Sequence, residues 1–254
     1  MNYIILDLEF NHPSKSQDEE QNKINKSFPF EIIQIGALKL DEKFNTLSTF
    51  DKLIKPEAYT DIKPHIQEIT GLNSEILSTA KTFKEIYGSL YTFLKGDNIL
   101  CVWGAADIKE LFRNITYHEL NHSDISKKYI DIQYHASKHF QYPKGTNIGL
   151  SKAVDLLYIP VKEDFHNAFN DAFYTTEVFK KIYKKEIVPK VYNLNKLSTN
   201  REPSKSTKLD THKLLMQFEK MFNRELTKEE QSMIKLAYNM GKTNQFQIQK
   251  KESK

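Results

Sequence analysis

Two carboxylates close the first apolar run of the chain, Asp7 and Glu9 in NYIILDLEF at residues 2–10. Residues two apart on a strand face the same side, so a strand here aims both carboxylates one way. Like charges on one face repel unless a cation sits between them, which makes the pair a candidate divalent-metal site. A strand end that merely reaches solvent carries the same pattern. A third acid, Asp107 in CVWGAAD, follows another apolar run and a glycine turn, near the start of the next helix. Open α/β sheets place their sites at such strand ends. An acid there also caps the helix dipole, worth about 0.3–1 kcal/mol with no chemical role. His166 and a fourth acid, Asp171, lie in FHNAFNDAFYTT. On one ideal helix they stand about 140° apart, so they meet only if His166 lies on the run-in and Asp171 one turn inside. The small Ala168 and Ala172 let this region approach a strand closely.

Other chemistries find no support. Cys101 is the one cysteine, which excludes a disulfide framework, a zinc-thiolate site and an internal redox pair. It lies in an apolar run and reads as core. The chain has neither a G-x-x-x-x-G-K-[ST] phosphate loop nor a G-x-S-x-G nucleophile elbow. No apolar run approaches ~20 residues, so no membrane span is expected. Asp7 and Glu9 break the first apolar stretch too early for a signal peptide, and a reducing, cytoplasmic location is the expectation.

The elements that must position these residues follow from pattern. Residues 2–10, 31–40 and 46–56 read as an antiparallel meander of strands. Residues 11–29 between the first two read as a long polar loop. Residues 62–71 combine Pro64 with a turn at Ile69-Thr70-Gly71. A helix is expected over 78–94, a buried strand over 98–104, and a helix from Ile108 to Asn114. A strand-to-helix passage over 129–140 and helices over 147–157 and 166–183 complete an α/β body with a mixed sheet. The polar, proline-containing stretch NKLSTNREPSKSTK reads as a linker. Beyond it, Leu214, Leu215, Phe218, Met221 and Phe222 mark one helix, and a capping box from Thr227 to Glu230 opens another that stops at Gly241. The expected organisation is a body at 1–189, a linker at 190–208 and a small helical extension at 209–254.

The 254 residues carry a net charge of +4, unevenly spread. Residues 1–189 hold 23 basic and 26 acidic side chains, whereas residues 190–254 hold 14 and 7. A basic tail suits an anionic partner, nucleic acid first among them, and equally a solvated lysine-rich surface. The extension could also serve as an arm for a protein partner, although its apolar stripes more often mean docking on a core.

Taken in order, Asp7-x-Glu9, Asp107 and His166-x4-Asp171 resemble the DEDDh group of 3′–5′ exonucleases. Ile35-Gly36-Ala37, Ile69-Thr70-Gly71-Leu72, Trp103-Gly104, Asp131 and Gly149-Leu150 fit the same pattern, and the resemblance covers roughly residues 2–184. The nearest subgroup trims small-RNA and histone-message ends and includes bacterial sporulation-inhibitor relatives. The resemblance implies a ribonuclease-H-like, mixed five-stranded sheet flanked by helices. It implies two Mg²⁺ or Mn²⁺ ions about 3.5–4 Å apart that activate a water and stabilise the leaving oxygen. Asp7 would bridge both ions, Glu9 and Asp171 would hold one, Asp107 would support the other, and His166 would be the general base. The implied substrate is the 3′ end of single-stranded nucleic acid, RNA favoured over DNA, with nucleoside 5′-monophosphates released. Phe10 is a stacking candidate and Thr70-Gly71 resembles the turn beside the terminal nucleotide. Asn11 stands where many relatives have Thr, which affects recognition of the terminal sugar. The competing class is a regulatory module that uses the same fold to hold nucleic acid or a protein. With two divalent ions bound, the body's −3 becomes +1 and no longer repels a polyanion.

Overall fold

The computed structural model describes residues 1–13, 27–143, 145–194 and 210–242. Contacts divide the chain into two compact units, one of Met1–Gln141 with Asn147–Asn200 and one of Tyr142–Thr146 with Arg201–Lys254.

The first unit is a mixed sheet with helices. Strands β1 (Asn2–Asn11), β2 (Glu31–Leu40) and β3 (Thr46–Lys55) form the expected antiparallel meander. Strand β5 (Asn98–Val102) runs parallel to β1, and β6 (Lys128–Asp131) runs parallel to β5. The two-residue strands β4 (Lys81–Thr82) and β7 (Lys190–Val191) complete the order β4-β3-β2-β1-β5-β6-β7. The expected five strands are thus seven among the described residues. The two additions are edge pairings too short to leave an alternation in the sequence.

Hydrophobic pattern explains the layering. Every residue of β5 is buried, as a strand covered on both faces requires. β3 lies toward the edge and buries Phe50 and Ile54 among mostly exposed neighbours. One cluster gathers Ile4, Leu6, Ile35, Leu90, Leu100 and Leu111 from the chain's first half.

Several helix boundaries depart from the pattern reading. Residues 62–71 hold a helix, α1 (Pro64–Thr70), with proline in its first turn and Gly71 as a left-handed C-cap at φ 72°. Helix α2 (Ser74–Ser78) ends where the expected 78–94 helix begins. A capping box between Thr82 and Glu85 starts α3 (Phe83–Leu94) instead. Then follow α4 (Ala106–Tyr117), α5 (Ile132–His139), α6 (Leu150–Leu156) and α7 (Ala168–Ile182). The chain past the expected linker start at residue 190 still makes contacts within the first unit. Val191 pairs with Lys128, and Tyr192 and Leu194 pack against the core cluster. Residues 14–26 of the expected loop and 195–208 of the expected linker lie outside the described residues.

The second unit contains the helices α8 (Thr211–Phe222) and α9 (Lys228–Lys242). Asp210 caps α8, and Asn223 ends it in the left-handed region at φ 52°. Thr227 and Glu230 form the expected reciprocal cap, and Arg224 reaches both Glu230 oxygens. Among the described residues no helix is long and apolar enough to cross a membrane.

Candidate active site

The strand half of the site is set by register. Across the β1–β2 ladder Asp7 faces Gly36 and Glu9 faces Gln34, and the register shifts immediately after Glu9. On the other side β1 pairs with β5 only as far as Leu6 and Val102. Asp7 and Glu9 therefore extend past the end of their parallel neighbour. The chain leaving β5 turns at Gly104, φ 100°, and starts α4 at Ala106. Asp107 is thereby carried back toward β1, close enough that its charge opposes ionisation of Asp7.

The helix half is set by caps and by one missing side chain. Asn167 is the N-cap of α7, its side-chain oxygen accepting from the N–H groups of Phe169 and Asn170. His166 precedes the cap with φ 65°, and its backbone N–H donates to Asp171 Oδ2 at 3.2 Å. His166 and Asp171 thus meet as anticipated, with one on the run-in and one in the first turn. A Cβ on Gly36 would stand 2.1 Å from the Ala168 carbonyl carbon. Only glycine lets the backbone of α7 rest on β2 directly opposite Asp7. In consequence one ligand atom each from Glu9, His166 and Asp171 lies within 4.8 Å of the other two.

This crowding has an electrostatic signature. Burial, then repulsion from Asp107, Asp171 and Glu9, holds the Asp7 carboxyl well above the usual carboxylate range. Burial and Asp171 push Glu9 up to about 8. Burial, then Glu9, Glu110 and Asp131, raises Asp107. Burial raises Asp171, partly offset by the His166 N–H and the His166 charge. Asp171 Oδ1 is buried without a hydrogen-bond partner. Four mutually repelling carboxylates, an unpartnered buried oxygen and an adjacent imidazole fit a hard divalent cation.

The candidate substrate residues divide. Phe10 is half-buried, packs on the core cluster and has its ring centre 5.8 Å from that of Phe30, a residue 41% exposed. An aromatic pair thus stands just past the carboxylates. Asn11 is fully buried, and its amide donates to the Tyr59 and Asp61 carbonyls. Its side chain thereby ties β1 to the segment before α1. The register shift after Glu9 separates it from the D-x-E alternation. The Thr70 hydroxyl donates to Ile66 O and accepts from Leu72 N, while Gly71 caps the helix. Both have local helix-ending work that accounts for their types. Gln34 and Asn167 escaped the sequence reading, because an amide in a strand or a loop has no periodicity to betray it.

With the geometry in place, the family is plain. The RNase T exonuclease family matches residues 4–179, and the chain belongs to it. No curated protein sequence matches the chain. Among solved structures, the nuclease domain of 3′hExo, a DEDDh family member bound to rAMP, superposes with a TM-score of 0.61 at 17% identity, covering 76% of this chain and 96% of that one. Cell-death related nuclease 4 gives 0.58 at 17% identity over 71% of this chain and 62% of its own. Pop2p of S. pombe, in a form with Mg²⁺ and Mn²⁺ bound, gives 0.52 at 18% identity over 72% and 83%. The fold is therefore the ribonuclease-H-like fold of DEDDh exonucleases, and the chain is a nuclease of the exonuclease family.

Proposed function

We propose that the protein is a 3′–5′ exonuclease that removes nucleoside 5′-monophosphates from single-stranded nucleic acid, RNA in preference to DNA. The observation that carries this reading is the convergence of Glu9, His166 and Asp171 within 4.8 Å. Asp7 and Asp107 add their charges to the same place. Asp7, Glu9, Asp107 and Asp171 would hold two Mg²⁺ or Mn²⁺ ions, which when bound neutralise the carboxylates and offset charge on the scissile phosphate. His166 takes the proton from the attacking water; its exposed position lets the imidazole pass that proton to solvent. Phe10 and Phe30 offer a ring surface for the terminal base, and stacking of this kind tolerates any base. A strand held with its 3′ end at the carboxylates is cut one nucleotide at a time. The nuclease body then comprises residues 1–194, with 209–254 as a separate basic extension.

The test uses 5′-labelled single-stranded RNA and DNA of one sequence, in Mg²⁺ and in Mn²⁺. A descending ladder from the 3′ end with mononucleotide product is expected, faster on RNA, and abolished in Asp7→Ala. Internal cuts, or tight binding without turnover in either metal, would overturn the reading.

A further inference from the structure

The first turn of a helix has N–H groups that lack partners within the helix. In α7 the side chain of Asn167 satisfies those of Phe169 and Asn170. The N–H of Ala168 is satisfied from outside: it donates to Gln34 Oε1 on β2 at 3.2 Å, in a buried bond. The other end of the same amide, Nε2, donates to Asp51 Oδ1 on β3 at 3.1 Å. Gln34 is 2% exposed and faces Glu9 across the ladder. The amide's orientation is forced from both ends, since an N–H must meet its oxygen and a carboxylate must meet its nitrogen.

We propose that Gln34, held by Asp51, is the positioning residue for the helix half of the nuclease site. The link runs from β3 through β2 to the first residue of α7 and fixes where that helix starts relative to Glu9. His166 and Asp171 sit on either side of that start, so the link sets their approach to the strand carboxylates. Gly36 permits the close approach of α7, and Gln34 supplies the directional bond that selects one position within it. The choice of amide over acid follows from the neighbours. A glutamate at 34 accepts from Ala168 equally well, but its charge would face Asp51 and lie beside the site's own carboxylates.

The inference rests on the nuclease reading, and its test separates the two. The full-length chain is compared with Gln34→Leu, Gln34→Glu and the double variant Gln34→Glu/Asp51→Asn. The double variant reverses the donor and acceptor between positions 34 and 51 while keeping an acceptor for Ala168. Mn²⁺ affinity by electron paramagnetic resonance, amide exchange at Ala168, and kcat and KM on a single-stranded oligonucleotide are measured for each. Expected for Gln34→Leu are a 10- to 100-fold loss in Mn²⁺ affinity and kcat, on the order of other outer-shell losses. KM should stay within about twofold, and exchange at Ala168 should accelerate. Gln34→Glu should show the same losses, and the double variant should recover most of them. Unchanged Mn²⁺ affinity and exchange in Gln34→Leu would overturn the proposal. So would a double variant no better than Gln34→Glu, which decides the matter even if the leucine variant fails to fold. Absence of turnover in the wild-type protein would defeat the nuclease reading alone, since metal affinity and amide exchange still report on positioning.

Discussion

The two halves of the site are built by different means. Asp7 and Glu9 sit on the middle strand of the sheet, held along one side by the backbone ladder with β2. His166 and Asp171 sit at a helix start, held by one cap residue, one interstrand amide and the absence of a side chain at Gly36. Ladder rigidity is distributed, so no single neighbour of Asp7 decides its place. Cap rigidity is concentrated, so a few atoms far from the reacting bond decide the place of Asp171. The strand half should respond to mutation as chemistry, and the helix half as geometry.

The sharpest way to break that contrast is Gly36→Val. Its side chain would occupy the backbone of α7, and a loss of about 3 kcal/mol or more in urea unfolding is expected, with activity lost alongside. Next is Asp7→Asn, where activity should fall on the order of 10³-fold, while the metal-free protein gains stability because a carboxyl whose ionisation burial and repulsion oppose is removed. Paired nuclease assays and urea titrations check both variants; a destabilised Asp7→Asn would show that the strand half is not purely chemical. Asn167→Ala should cost about 1 kcal/mol by loss of the cap. Its activity should drop further than that stability change explains, since the frayed turn carries Asp171.

The carboxylates give a pH test with a definite sign. Glu9 titrates near 8 when folded, against a usual 4.5. Between those values the folded protein binds more protons than the unfolded one, so stability falls as pH rises. The melting temperature of metal-free protein should decline by about 3 °C or more from pH 5 to pH 8. Saturating Mg²⁺ should flatten the slope, and a metal-free curve that rises instead would contradict the crowding. The smallest effect concerns Gly88 in α3, where an added Cβ meets nothing within 4 Å. Gly88→Ala should stabilise by up to about 1 kcal/mol without touching activity, the opposite outcome to Gly36.

How much was legible beforehand follows the same division. Asp7, Glu9 and Asp107 stand out because apolar runs frame them, and the meander of β1 to β3 reads directly from alternation. Helix geometry alone sets His166 and Asp171 about 140° apart, and their meeting depends on the Asn167 cap and the left-handed turn at His166, which spacing only allows. Gln34 was hidden, because a buried amide whose partners lie 17 and 134 residues away leaves no local pattern. The tie made by Asn11 was hidden for the same reason: its partners at 59 and 61 are set by tertiary contact. Helix α1 is short and opens on proline, so residue type suggested a turn where the backbone continues. Strands β4 and β7 are created by their neighbours' edges, with two residues each.

His166 holds a backbone angle of φ 65°, in the left-handed region that glycine adopts at less cost than histidine does. The position is therefore under two opposed demands. A library screened for thermal resistance alone should enrich His166→Gly, which relaxes the backbone and discards the imidazole. A library screened for nucleotide release should never keep it. Residue 166 is thus a place where a stability–activity trade-off can be read from one dihedral angle, and stabilising this enzyme by consensus or selection must leave that angle strained.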